Sequence, residues 1–217
     1  MRILFTLLAA YLLGAMPIGY LLVKLFKHRD VRELGSGRTG STNVFRAGGI
    51  RLALVTGILD VLKAATAVWL TQWLLPNNHW VEVLAGSAAI LGHNYSVFIK
   101  FKGGAGGGPA VGGAMGLWPW SVLIVVPIGA VVWYGIGYAS LTTISFAIMI
   151  VITMAYRWYV LGGPWEHIAY GILALCLCLW ALRPNIKRLF RGEERLVGWR
   201  ARRLQEAGAG KLGRKGD

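Results

Sequence analysis

Three polar stretches of this chain carry side chains suited to holding an anion. The first, GSGRTGSTN at 35–43, places three glycines, two serines and two threonines in nine residues, with Arg38 inside it and Arg32 and Arg46 close by. Successive small residues let backbone N–H groups curl round an anion, and Arg adds charge and a forked donor. The second, GHNYSVFIKFKGGAGGGPA at 92–110, again joins lysine to a run of glycine. The third pairs YASLTTIS at 138–145 with RPNIKR at 183–188. Together they suggest a phosphate site.

Each stretch also has a plainer reading. A glycine-rich loop is often a tight connection, and basic residues beside a membrane set topology and touch lipid headgroups. His93, next to Gly92, is placed to cap a helix end, and Pro17 with Gly14 and Gly19 reads as a packing feature. His28, His79 and His167 show no ligand spacing, so no metal site is expected. Neither a G-x-x-x-x-G-K-[ST] loop nor a G-x-S-x-G elbow occurs. Asp60 and Lys63 lie one turn apart inside an apolar run, where isolated charges are costly, so they are expected to pair. The pair either fixes helix packing or contributes to the polar site.

The elements that must position these loops are membrane helices. The chain has 217 residues, 56% hydrophobic and 15% charged, with a mean hydropathy of +0.56. Apolar runs cover Ile3–Val23, Leu52–Leu75, Val81–Ile99, Trp120–Tyr138, Leu141–Val160 and Ile168–Leu182. A shorter run, Pro109–Trp118, falls below the ~20 residues that span a hydrocarbon core. Counting it gives seven segments. No ten-residue alternation suggests a barrel.

The net charge of +14 does not point to nucleic acid, because of where it lies. Seven Lys or Arg fall between Lys24 and Arg51, two at Lys100 and Lys102, and eleven from Arg183 onward. Those segments share one side if seven helices alternate; six spans would break the grouping. The opposite connections, 76–80 and 162–166, hold no Lys or Arg. The expected topology has the N-terminus outside and the polar loops in the cytoplasm. The first run stays apolar to Val23 with a single Arg before it, which reads as a retained helix rather than a cleaved leader. Cys176 and Cys178 are two apart in one apolar helix and point in different directions. The expected organisation is one all-α polytopic membrane domain over 1–190 and a basic, flexible cytoplasmic tail over 191–217.

With these residues in view, the chain resembles the bacterial acyl-phosphate:glycerol-3-phosphate acyltransferases over nearly its whole length. AYLLGAMPIGYLLVKLF, DVRELGSGRTGSTNVFRAGG, LDVLKA, LGHNYSVFIKFKGG, YASLTTIS and NIKRLFRGEE carry the resemblance in order. It implies a seven-helix enzyme of the cell inner membrane, with its active site facing the cytoplasm and no cofactor. The implied reaction moves a fatty acyl group from acyl phosphate to the 1-hydroxyl of glycerol 3-phosphate, giving lysophosphatidic acid and inorganic phosphate. Its partners would be those two substrates and membrane lipid, and a triad is unnecessary because the donor is already activated.

By position, Ser36, Asn43 and Arg46 match residues that hold phosphate, Gly103 and Gly104 the second loop, Ser140 or Thr143 the third, and Asn185 the last. The resemblance makes Ser36, Arg46 and Asn185 the catalytic set. Gly35, Gly37, Arg38, Thr42, Asn43, His93, Lys102, Gly103, Gly104, Ser140 and Thr143 form the substrate-binding set. The pattern departs at Ala105, where relatives carry lysine, and at Leu182, where they carry histidine. Arg38 and Ser41 replace common Asn and Ala, and Ser96 replaces proline. Arg38, Lys102 and Arg183 are the cations available to compensate. If none does, the chain is a catalytically impaired relative that binds phosphate or phospholipid in a regulatory role. A transporter would instead need internal repeats or paired midplane charges, of which only Asp60 with Lys63 is seen.

Overall fold

The computed structural model describes residues 1–201 and 203. It is all-α: α1 (Arg2–Ala15), α2 (Ile18–Lys27), α3 (Ser41–Gly48), α4 (Ile50–Leu74), α5 (His79–Asn94), α6 (Gly107–Leu117), α7 (Ser121–Gly135), α8 (Ala139–Leu161) and α9 (Glu166–Phe190). Four stretches are long and apolar enough to cross a membrane: Arg2–Lys27, α4, α8 and α9. The protein is thus a multi-pass membrane protein. Its exposed leucines, isoleucines and aromatic residues, such as Leu4, Leu54, Leu123, Ile58 and Tyr159, form the outer surface that lipid covers.

Two boundaries differ from the apolar runs. The first run is broken at Met16–Pro17, because proline brings no N–H to continue the ladder. The Met16 carbonyl left at the break accepts from Lys63 Nζ at 2.8 Å, so an α4 charge satisfies an α1 backbone group inside the apolar layer. At the other end α9 continues past Leu182 to Phe190, through Pro184. Proline removes the donor that Trp180 O would have received, and Arg183 Nε takes that carbonyl at 3.0 Å.

Small residues let the inner helices approach closely. The α6 sequence GGPAVGGAMGL packs on α4, and α1 packs on α5. The main core lies where α6 meets α5, α8 and α9. Tyr170, fully buried there, donates to Ala110 O at 2.7 Å. Buried Val23, Val31 and Val44 form a smaller cluster that pins α2 and α3 together beneath the first polar loop.

Residues 191–201 of the expected tail return to the helices. Leu196 bridges to Tyr138, Val197 N donates to Gly137 O at 2.8 Å, and Trp199 Nε1 donates to Tyr134 O at 2.9 Å. This strap lies along the end of α7. The remainder of the tail, apart from Arg203, lies outside the described residues.

Candidate functional site

The first polar loop is shaped by one side chain. Buried Asn43, in the first turn of α3, donates through Nδ2 to the carbonyls of Val31, Leu34 and Arg38 at 2.8–2.9 Å. Its Oδ1 accepts from Ser36 N at 2.9 Å. Gly35 turns the chain at φ +52°, and a Cβ there would fall 2.2 Å from Asn43 Oδ1. Asn43 was expected to hold phosphate. Its amide is engaged on both sides by the loop backbone, so in this structure it organises the loop.

The loop opens onto a cavity of about 360 Å³. Three helices begin on its wall: α3 at Ser41 and Thr42, α6 at Gly107 and Gly108, and α8 at Ala139 and Ser140. First-turn N–H groups lack intrahelical acceptors, and each N-terminus carries roughly half a positive charge. Arg38 and Arg46 line the same wall, and among the described residues neither makes an ion pair with a carboxylate. Burial holds both guanidiniums below the usual arginine range, with Arg188 adding to the effect at Arg38 and Arg195 at Arg46. A bound anion relieves that cost. The cavity then continues between α4 and α7, along Ala53, Leu54, Gly57, Val126, Ala130 and Trp133, so a charged end meets an apolar one.

Ser36, Arg38, Thr42, Asn43, Arg46, His93, Ser140, Thr143 and Asn185 all line this cavity. Ser140 Oγ is buried and has no partner among the described residues. Gly35 and Gly37 shape the loop from behind, Gly37 at φ +72°. Lys102, Gly103 and Gly104 line a second cavity of about 270 Å³, which among its wall residues shares only Arg38 with the first. The glycines offer no anion nest. Gly103 N and Gly104 N already donate to Asn94 O and His93 O, at 3.2 and 3.0 Å.

Arg38 is the junction of the two cavities. Its Nη1 donates to Gly104 O at 2.8 Å, and its Nη2 to Ala181 O and to Asn185 Oδ1, the last at 3.2 Å. Each backbone carbonyl belongs to the residue just before Ala105 or Leu182, the positions where the resemblance leads one to expect lysine and histidine, and both positions face the cavity. One guanidinium stands beside both. Asn185 completes the wall by donating to buried Glu194 at 2.9 Å, and Arg188 Nε holds the other Glu194 oxygen at 3.1 Å. Glu194 belongs to the strap, a participant that loop composition alone did not reveal.

A further group sits deeper. Lys63 Nζ lies 2.8 Å from Asp60 Oδ1 and 3.1 Å from His93 Nδ1, so the expected pair does form and includes a site histidine. Both Asp60 and His93 reach the cavity wall. At the opposite ends of these helices His79, Glu82 and His167 also converge, although their spacing suggested no ligand set. Arg157 Nη1 lies 2.8 Å from His167 Nδ1, which must therefore accept. Its Nε2 proton then faces Glu82 Oε2 at 3.2 Å. That is the tautomer opposite to the one a metal ion needs, and the group is a hydrogen-bonded clasp of α5, α8 and α9.

A profile of the family "Glycerol-3-phosphate acyltransferase" matches residues 4–192. The glycerol-3-phosphate acyltransferase of Halalkalibacterium halodurans is 35% identical over 196 residues, covering 88% of this chain and 93% of that one. Glycerol-3-phosphate acyltransferase 3 of Dehalococcoides mccartyi is 36% identical over 221 residues, covering 93% of this chain and 98% of that one. Among solved structures, the glycerol 3-phosphate form of PlsY, an integral membrane glycerol 3-phosphate acyltransferase, superposes with a TM-score of 0.78 at 34% identity. It covers 91% of this chain and 96% of PlsY, and the lysophosphatidic acid form gives 0.76 at 32%.

Proposed function

The chain belongs to the glycerol-3-phosphate acyltransferase family, and from that premise we propose that it acylates glycerol 3-phosphate with acyl phosphate as donor. The 1-hydroxyl oxygen forms an ester bond with the acyl carbon as that carbon's bond to phosphate breaks. The products are lysophosphatidic acid and inorganic phosphate. The observation that carries this reading is the convergence, on one cavity with an apolar continuation, of three helix N-termini and two guanidiniums that have no carboxylate partner among the described residues. Such a cavity suits a substrate pair with two phosphates and one acyl chain.

Within it, Arg46, Ser36, Thr42 and the α3 amides would hold phosphate, with Ser140, Thr143 and Asn185 closing the opposite wall. Arg38 stands where it can supply the charge that Ala105 and Leu182 lack. Seven spans follow if Arg2–Lys27, α4, α5, α6, α7, α8 and α9 each cross, the shorter α6 reaching through with help from its neighbours. The charge grouping then faces the N-terminus outward and the cavity to the cytoplasm.

The test is direct. Purified protein given acyl phosphate and glycerol 3-phosphate should form lysophosphatidic acid and release phosphate in equal amounts. The missing Lys and His favour one rival, a non-catalytic relative. It predicts binding of glycerol 3-phosphate with no product.

A further inference from the structure

Lys63 has three donor hydrogens, and three acceptors surround it. Met16 O lies at 2.8 Å, His93 Nδ1 at 3.1 Å and Asp60 Oδ1 at 2.8 Å, all of them on buried or broken-helix groups. The Asp60 contact is a charge contact at close range rather than an aligned hydrogen bond, since Oδ1 is buried with no aligned donor. His93 Nδ1 also lies 3.5 Å from Asp60 Oδ1, too far for a good bond. An ammonium can only donate, so His93 Nδ1 accepts. The neutral ring must then carry its proton on Nε2.

His93 itself lines the cavity wall. His93 Nε2 lies against Gly104, where a Cβ would come within 1.9 Å of it, and no partner engages it among the described residues. Glycine at 104 is what leaves room for the ring. His93 is the penultimate residue of α5 and lines the same cavity as Arg38 and Arg46, and Arg38 Nη1 holds the Gly104 carbonyl beside its ring.

We propose that His93 is a catalytic hydrogen-bond donor to the acyl carbonyl oxygen, held in the Nε2–H tautomer by Lys63 acting as a positioning residue. This rests on the acyltransferase reading. As the glycerol 3-phosphate hydroxyl adds to the acyl carbon, the carbonyl π pair moves onto oxygen, and His93 Nε2–H bonds to that oxyanion. Collapse restores the carbonyl and expels phosphate, and the hydroxyl proton leaves with the phosphate. His93 keeps its own proton throughout. A fixed neutral donor there favours the developing oxyanion of the transition state over the neutral carbonyl oxygen of the acyl phosphate.

The inverse role, a general base working through Nε2, makes an opposite prediction. Gln at position 93 retains a donor near the Nε2 position and cannot act as a base. His93→Gln should keep kcat within about tenfold, while His93→Ala should lower it by ~10²–10³. KM for glycerol 3-phosphate should stay within about twofold in both, with thermal unfolding checked in each. A Gln variant as inactive as the Ala variant, or a loss confined to KM, overturns the proposal. Nitrogen NMR of histidine-labelled protein, assigned by difference from His93→Gln, should find Nε2 protonated and Nδ1 accepting. In Lys63→Met that preference should be lost. An Nδ1-protonated wild-type ring overturns the proposal whether or not the protein turns over. A wild-type protein without turnover, but with the Nε2–H ring, would instead overturn the acyltransferase reading.

Discussion

Replacing Arg38 separates a working site from a vestigial one. Arg38→Asn removes the guanidinium that reaches Gly104 O, Ala181 O and Asn185 Oδ1. Two effects follow, and they differ in size. The lost bonds to carbonyls lie in a half-buried region that water can refill, so folding stability should fall by ~1–3 kcal/mol in all. The charge lost from the cavity acts on a leaving phosphate, where removing one preorganised donor costs ~10²–10³ in rate. That corresponds to ~2.7–4 kcal/mol of transition-state stabilisation. The assay is phosphate release with saturating acyl phosphate, alongside thermal unfolding of the same sample. Ala105→Lys in the Arg38→Asn background should recover about tenfold, because position 105 lies beside the carbonyl that Arg38 now holds. Turnover unchanged in Arg38→Asn refutes the reasoning and leaves Lys102 or Arg183 as the compensating cation. So does a lysine at 105 that restores nothing in a folded protein.

Arg46→Lys keeps the charge but loses the fork, so KM for glycerol 3-phosphate should rise about tenfold or more with the unfolding temperature unchanged. An unaltered KM removes Arg46 from the site. Glu194→Ala leaves Asn185 Nδ2 and Arg188 without their acceptor and should lower stability by ~1.5–3 kcal/mol, with activity falling as the strap loosens. Chemical denaturation of the two proteins measures it. With Cys176 and Cys178 replaced, cysteine at Asn78 should label from outside intact cells and cysteine at Arg191 only after permeabilisation. Equal labelling of both sinks the proposed topology.

Much of this architecture was legible because bilayer length and apolar composition constrain each other. The runs from Leu52, Trp120 and Leu141 became α4, α7 and α8 with ends shifted by a few residues. The break at Met16 was hidden because Pro17 sits in an unbroken apolar run and kinks only in context. The polar loop gave no hydrophobic period from which to foresee α3, whose first residue follows a glycine cap with no side-chain bond. Loop composition grouped Ser36, Arg46, Ser140 and Asn185, and these four line one cavity. It also grouped Gly103 and Gly104, which line the second cavity and whose N–H groups close a turn onto α5. The tautomer of His93 depends on an α4 lysine thirty residues earlier, a relation that only the packed helices establish.

The strap gives the site an order of assembly. The apolar helices form their backbone bonds within themselves and all precede residue 191. Glu194, however, follows all of them, and it holds Asn185 through Nδ2 while the Asn185 oxygen receives Arg38. The last described segment to leave the ribosome therefore fixes an amide that the earliest polar loop leans upon. A chain lacking residues 191–200 would leave Asn185 and Arg188 without the carboxylate that holds them in the folded protein.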